Sequence, residues 1–353
     1  MVKEYLRKIV EGQNLAFNEA YKLMEIMMSG KASSAQMAAI LTALRMKGET
    51  VEEISAFALA MKHFCRIIKP NVRGRIIDVV GTGGDAIKTL NISTLTSLIV
   101  AGAGVPVAKH GNRSFTSKIG SADLLEHFGL NLNVEPEIVE KSIEENCIGF
   151  MFAPTFHPAM KHAVKPRKEI GIRTVFNLLG PLSNPANVKA QLLGVFDSVW
   201  LKPLALVLKN LGCEEVLVVH GTNGIDEISI VGETKMAWLR DGEIKLLSVF
   251  PKDFGFKHAR IEEIVIQSPE DAVKKSFQIL YCNPNLEDPQ LNMVLMNSSA
   301  ALVVGEKADD FRYGVELALE SIRSGSAYKK LKDLIKAYNG DLSRLEEMEK
   351  KYG

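Results

Sequence analysis

The segment that most restricts the fold is Ile76-Ile77-Asp78-Val79-Val80, a short β-branched run. It breaks into Gly81-Thr82-Gly83-Gly84-Asp85 and then, from about Asn91, into a helix pattern. A strand that opens through glycines into a helix is the building unit of a parallel sheet, and ligands bind such sheets at the carboxyl ends of their strands. Further buried strands are predicted over residues 105–108, 148–152, 192–195 and 216–220, with helix patterns at 135–145 and 203–211. Short apolar strands alternating with helices predict an α/β lobe whose mostly parallel sheet is flanked by helices on both faces.

Residues 1–70 carry helix signals only. Leu15, Ala20, Leu23, Met24, Ile26 and Met27 share one apolar face. Ser33 or Ser34 is placed to cap a helix bearing Met37, Ile40, Leu41 and Leu44. Thr50 caps another over 51–64, with Glu52 and Glu53 in its first turn. The expected organisation is a small helical N-terminal lobe, 1–70, and a large α/β lobe, 71–353. A basic helix across 164–180 is predicted to pack back on the small lobe, joining it through helices around 164–185. The charged tail, 328–351, is expected to be a solvated outer helix.

Forty-three Lys and Arg against 42 Asp and Glu leave a formal charge of +1. A protein that neutralises nucleic-acid phosphates shows a clear basic excess, so any anion recognition here has to be local. Cys65, Cys147, Cys213 and Cys282 are dispersed with no C-x-x-C pair. That argues against a zinc site or disulfide framework and fits a reducing cytoplasm. The amphipathic opening, 1–12, lacks the apolar core of a signal peptide, and the apolar run 95–107 is interrupted by Gly102, Gly104 and Pro106.

Two loops carry the chemistry. Glycines at a strand end let backbone N–H groups approach an anion, and the helix that follows adds a positive field. A plain turn would also use glycines, but it would not need Asn91, Ser93 and Thr94, which exceed what one helix cap requires. Neither the P-loop spacing nor the dinucleotide G-x-G-x-x-G is present. The second loop, Lys109-His110-Gly111-Asn112-Arg113-Ser114, is followed by Thr116, Ser117 and Lys118, with Ser121 placed to cap a helix over 122–128. Its cations and hydroxyls at a strand's carboxyl end read as a second anion cradle. Asp226-Glu227, after the strand 215–220, is an adjacent acidic pair that suits magnesium, an ion commonly held by one or two carboxylates and substrate phosphates.

G-T-G-G-D, N-x-S-T, K-H-G-N-R and G-S-A-D, in this order, resemble the anthranilate phosphoribosyltransferase family. The likeness continues through His157-Pro158-Ala159-Met160, Arg167, Gly171-Ile172-Arg173-Thr174, Gly180-Pro181-Leu182, Asn184-Pro185 and Gly224-Ile225-Asp226-Glu227. The resemblance implies transfer of the phosphoribosyl group of phosphoribosyl pyrophosphate (PRPP) to the amine of anthranilate, in tryptophan synthesis. It implies PRPP contacts from Gly81, Gly84, Asp85, Thr89, Asn91, Ile92, Ser93, Thr94, Lys109, His110, Gly111, Asn112, Arg113, Ser114, Phe115, Thr116, Ser117 and Ser121. It implies anthranilate contacts from Gly81, Asn112, His157, Arg167 and Pro181, and two Mg²⁺ ions on Ser93, Asp226 and Glu227. A homodimer joined through the helical lobe is implied as well, with no membrane or nucleic-acid partner. Ala86, Leu90 and Ile119 depart from the family's usual glycine, phenylalanine and serine. The reaction needs no activated Ser, Cys or Lys because the aromatic amine is already a nucleophile, so positioning by Asn112 and Arg167 is expected to suffice. Two alternatives stay open: a pyrimidine nucleoside phosphorylase, which typically has serine at the position of Gly111, and a DNA-binding relative without transferase activity.

Overall fold

The computed structural model describes residues 1–84, 87–114, 119–281 and 283–353. Four helices come first: α1 (Val2–Val10), α2 (Phe17–Met28), α3 (Ser34–Lys47) and α4 (Val51–His63). Two are capped as the side chains dictate. Ser33 Oγ accepts from Gln36 N at 3.2 Å and Thr50 Oγ1 accepts from Glu53 N at 3.2 Å.

The α/β portion then runs β1 (Ile77–Gly81), α5 (Ile92–Gly102), β2 (Val107–Gly111), α6 (Ser121–His127), α7 (Pro136–Asn146), β3 (Ile148–Phe152) and α8 (Ala153–Phe156). Next come α9 (Lys161–Ile170), α10 (Phe176–Leu182), β4 (Ala190–Gly194), α11 (Leu201–Asn210), β5 (Glu215–Gly221), β6 (Thr234–Arg240) and β7 (Glu243–Val249). The chain finishes through α12 (Pro269–Tyr281), α13 (Pro289–Val304), α14 (Phe311–Arg323), α15 (Ser326–Ala337) and α16 (Ser343–Tyr352).

The sheet order is β3-β2-β1-β4-β5-β6-β7. The five strands predicted from apolar runs are all parallel, with registers such as Asp78 opposite Gln191 and Lys109 opposite Phe150. β6 and β7 add an antiparallel hairpin, outside those five, that turns through Asp241 (φ 51°) and Gly242 (φ 75°).

Because successive strand residues face opposite sides, the sheet feeds two cores. Val79, Leu192 and Leu217 pack with α5 and α12–α15. Leu193, Val216 and Val218 share the other core with Leu23, Leu41 and Phe57 of the N-terminal helices. The helical bundle and one face of the sheet therefore bury each other.

Three expectations are corrected. The tail is not solvated: Leu331, Leu334 and Ile335 of α15 are buried against α5, because their i, i+3, i+4 spacing makes one apolar stripe. Beyond it Tyr338, fully buried, accepts at its hydroxyl from Phe150 N (2.8 Å) and donates to Phe150 O (3.0 Å), closing the edge of β3. The basic stretch 164–180 is two helices, broken where Gly171 adopts φ 63°. α9 lies on α2 and α3, and α10 on α4. Third, Gly120 occupies the cap position that Ser121 was expected to fill, and Asp123 Oδ2 accepts from Gly120 N at 3.0 Å. Among the described residues no helix is long and apolar enough to cross a membrane.

Candidate active site

The carboxyl ends of β1, β2, β4 and β5 form one rim. Asp78, Lys109 and Gln191 are buried polar residues inside that sheet, a costly choice that signals a job other than packing. Lys109 Nζ donates to Val79 O (2.7 Å) and to Ser93 Oγ (3.2 Å), linking the end of β2 to the first turn of α5. Burial brings the Lys109 amine down to about 8, opposed by the negative charges of Asp78 and Glu227. Burial likewise pushes the Asp78 carboxyl up to about 6, against the pull of Lys109 and the hydrogen bond from Asn184. Asn184 Nδ2 donates to Asp78 Oδ2 (2.8 Å) and Ala108 O (2.9 Å), tying β1 to β2.

The acidic pair reaches the same rim. Gly83 N donates to Asp226 Oδ2 at 2.8 Å, and Asp226 is 7 % exposed. Its approach is so close that a Cβ on Gly81 would fall 2.5 Å from Asp226 Oδ2, and one on Gly194 would fall 1.5 Å from Asp226 O. Glycine at both strand ends is what lets the post-β5 turn sit there. Glu227 is near enough to act on the Lys109 charge.

The second loop joins the first through Asn91. Its Oδ1 accepts from Thr94 Oγ1 (2.6 Å) and Ser121 Oγ (3.4 Å), and its Nδ2 donates to Ile119 O (3.4 Å). Asn91 is thus a strut between loops, and its side chain makes no cap hydrogen bond. Arg113 is held by Glu126 (2.6 and 2.9 Å) and Asp123 (2.9 Å), the cause of its raised basicity. A phosphate would have to compete with those two carboxylates for it. Asn112 is exposed, and its Oδ1 accepts from Arg113 N.

Beside this cradle lie two imidazoles. The rings of His110 and His157 are 4.9 Å apart, both are buried, and the Nε2 of each lacks a protein partner among the described residues. Burial drives His157 down to about 4. His110 is lowered by burial, by His157 and by Lys109, against a hydrogen bond with the Gly180 backbone next to Pro181. Both rings are neutral at pH 7. Arg167, half-buried on α9 and lowered by burial alone, lies 5.2 Å over the Phe176 ring. No hydrogen bond or ion pair among the described residues joins it to Asn112 or His157.

Of the residues predicted to bind, Gly81, Ser93, Thr94, Asn91, Lys109, Ser121, Asp226 and Glu227 are linked by these contacts around one rim. Thr89 donates to Leu90 O, and Ile92 is a core residue at the start of α5. Asp85, Phe115, Thr116 and Ser117 lie outside the described residues. Asp78 and Asn184 were not predicted as site residues. The signal for Asp78 was present, an acid in an otherwise apolar strand. Asn184 stands in the Asn184-Pro185 motif of the resemblance, but its partner could not be read there, since only the fold brings the turn after α10 to β1. The residues expected to hold a metal, Ser93, Asp226 and Glu227, would offer only oxygen donors and two carboxylates, a chemistry that fits magnesium completed by phosphate oxygens and water.

The glycosyl transferase family's helical bundle domain matches residues 3–65, and its a/b domain matches residues 73–328. The anthranilate phosphoribosyltransferase of Petrotoga mobilis is 46% identical over 339 residues, covering 96% of this chain and 97% of that protein. The Methanobrevibacter smithii protein of the same name is also 46% identical, over 96% of this chain and all of its own length (100%). Among solved structures, the Thermus thermophilus anthranilate phosphoribosyltransferase superimposes with a TM-score of 0.89 at 40% identity, over 95% of this chain and 99% of that one. The Saccharomyces cerevisiae enzyme in complex with PRPP and Mg gives 0.88 at 27% identity, over 96% and 98%.

Proposed function

We infer the activity from kinship and site together: the chain belongs to the anthranilate phosphoribosyltransferase family. It transfers the phosphoribosyl group of PRPP to the amine of anthranilate in tryptophan synthesis, releasing pyrophosphate, and it binds Mg²⁺. The observation that carries the site assignment is the convergence of Lys109 on Ser93 and of Asp226 on Gly83 at one sheet rim.

In this reading Gly81–Gly84, with Asp85, and Asn91–Thr94 hold PRPP from one side, and Lys109–Ser114 with Ser121 hold it from the other. Asp226, Glu227 and Ser93 hold the magnesium, two ions in the full arrangement. When bound, the metal supplies positive charge to the departing pyrophosphate. The chain's own residues do the rest. Lys109, an ammonium fixed by two hydrogen bonds, presents a preorganised cation to the phosphates without reorganising during reaction. Arg167 suits a carboxylate because a guanidinium binds it through two parallel hydrogen bonds. His157 and His110 offer hydrogen-bonding edges to an aromatic acid without adding charge, and Asn112 positions the amine. The amine displaces pyrophosphate at the anomeric carbon, so no covalent enzyme intermediate is required.

The phosphorylase alternative is disfavoured by space. A Cβ on Gly111 would fall 2.6 Å from the Phe150 ring and 3.1 Å from Ser121 Cβ, so the serine those enzymes carry would force the buried Phe150 ring to shift. The two-lobe division near residue 70, with 164–185 counted to the helical lobe, is supported by the seat of α9 on α2 and α3. A homodimer through that lobe belongs to the same proposal, as does a cytoplasmic location. Exposed Val10 and Met46 support the dimer, and sedimentation velocity checks it.

The decisive assay is loss of anthranilate fluorescence on mixing with PRPP and Mg²⁺, set against phosphate with thymidine or uridine. Turnover in the first mixture only is expected. Turnover in the second only would overturn the reading.

A further inference from the structure

We propose that Arg173 is a positioning residue that clamps the Gly81–Gly84 turn and thereby sets the affinity for PRPP. The inference deepens the site reading above and rests on that turn holding PRPP. Gly83 (φ 67°) and Gly84 (φ 86°) both lie in the left-handed region, so this turn is built from residues with high backbone freedom and has much to lose on ordering.

Two side chains anchor its glycine end. On one side Asp226 Oδ2 accepts from Gly83 N. On the other, Arg173 Nη2 donates to Gly84 O at 2.5 Å. Arg173 comes from the link between α9 and α10, helices that pack on the N-terminal bundle, so it carries the helical layer to the loop. Its guanidinium lies 4.4 Å over the Phe196 ring. Phe196 is itself tied to the turn, for Phe196 N donates to Thr82 Oγ1 (3.1 Å) and Thr82 N donates to Gly194 O (2.9 Å). Arginine is the residue for this place because its planar head can stack on a ring while an edge N–H reaches a carbonyl; a lysine cannot do both. Gly84 completes the fit: a Cβ there would fall 2.6 Å from Arg173 Nη2. Holding the turn in its bound shape before substrate arrives removes an ordering cost chiefly from PRPP binding, since the clamp acts at Gly84 and anthranilate, which shares only Gly81 of this turn, would enter from the Arg167 side.

The test is steady-state kinetics on full-length Arg173→Ala, Arg173→Lys, Phe196→Leu and the Ala/Leu double variant, with melting temperatures. Loss of a charge-assisted hydrogen bond and a stacked cation at an exposed position should raise the PRPP KM roughly 5- to 30-fold. The anthranilate KM should stay within about twofold, the scale of an ordinary surface change. Arg173→Lys should restore part of the loss. Phe196→Leu should reproduce part of it, and the double variant should be no worse than Arg173→Ala, because both act through one contact. Equal rises in both KM values, additive losses in the double variant, or a lower melting temperature with both KM values unchanged would overturn the clamp. Gly84→Ala separates this from failure of the site reading. If Gly84→Ala raises the PRPP KM and Arg173→Ala does not, only the clamp falls. If neither does, the assignment of the turn to PRPP falls with it.

Discussion

Tyr338→Phe should destabilise the protein out of proportion to the single oxygen it removes. The hydroxyl serves both Phe150 N and Phe150 O on the outer edge of β3, at 2.8 and 3.0 Å, and Tyr338 is wholly buried. Phenylalanine keeps the ring and its packing, so the change isolates the two hydrogen bonds. Each of the two backbone groups left buried and unpaired costs about 1–3 kcal/mol, which puts the loss at about 2–6 kcal/mol. Equilibrium unfolding in urea should show a lower midpoint at unchanged slope, since the surface exposed on unfolding is the same. Hydrogen exchange gives the local readout: the Phe150 amide should lose protection while strand interiors such as Leu192 keep theirs. The Phe150 ring also packs on Gly111, so the PRPP KM should rise modestly. An unfolding midpoint equal to the parent's, with the Phe150 amide still protected, would refute the claim that α15 and its following turn close this edge.

Arg167→Ala should raise the anthranilate KM far more than the PRPP KM, read from steady-state kinetics, because one carboxylate partner is lost. Asp226→Asn with Glu227→Gln should suppress turnover and shift the magnesium titration of activity; an unaltered titration would remove the pair from the metal site. Asp78 makes a pH prediction. Its folded-state carboxyl is raised to about 6 from an unfolded value near 3.8, so its protonated form is favoured by folding. Its contribution to stability is present below about pH 3.8 and is lost as pH rises through 6, a change on the order of 3 kcal/mol. Asp78→Asn should flatten that part of the stability–pH curve, measured by urea unfolding at pH 4.5 and 7.

The five parallel strands and most helices were legible because they rest on local physics. An apolar β-branched run bounded by glycine has few other fates, and Ser33 and Thr50 cap the helices they precede. The hairpin of β6 and β7 was not read from the sequence, although Asp241-Gly242 is a strong hairpin turn pair, because its strands are half-exposed and lack a continuous apolar run. The tail was misjudged because Lys-rich composition hides a one-sided stripe; Leu331, Leu334 and Ile335 are buried while the lysines stay in water.

The site divides in the same way. Residue types alone reveal anion cradles and an acidic pair, since phosphate and magnesium restrict which side chains can serve them. They do not reveal that Asp226 passes beneath Gly81 and Gly194, that Asn91 struts one loop to the other, or that Arg173 reaches Gly84. Those contacts join positions 30 to 145 residues apart. Chain-local preferences carry no information over such separations. Only the packing of strand ends side by side at about 5 Å brings them within hydrogen-bonding reach.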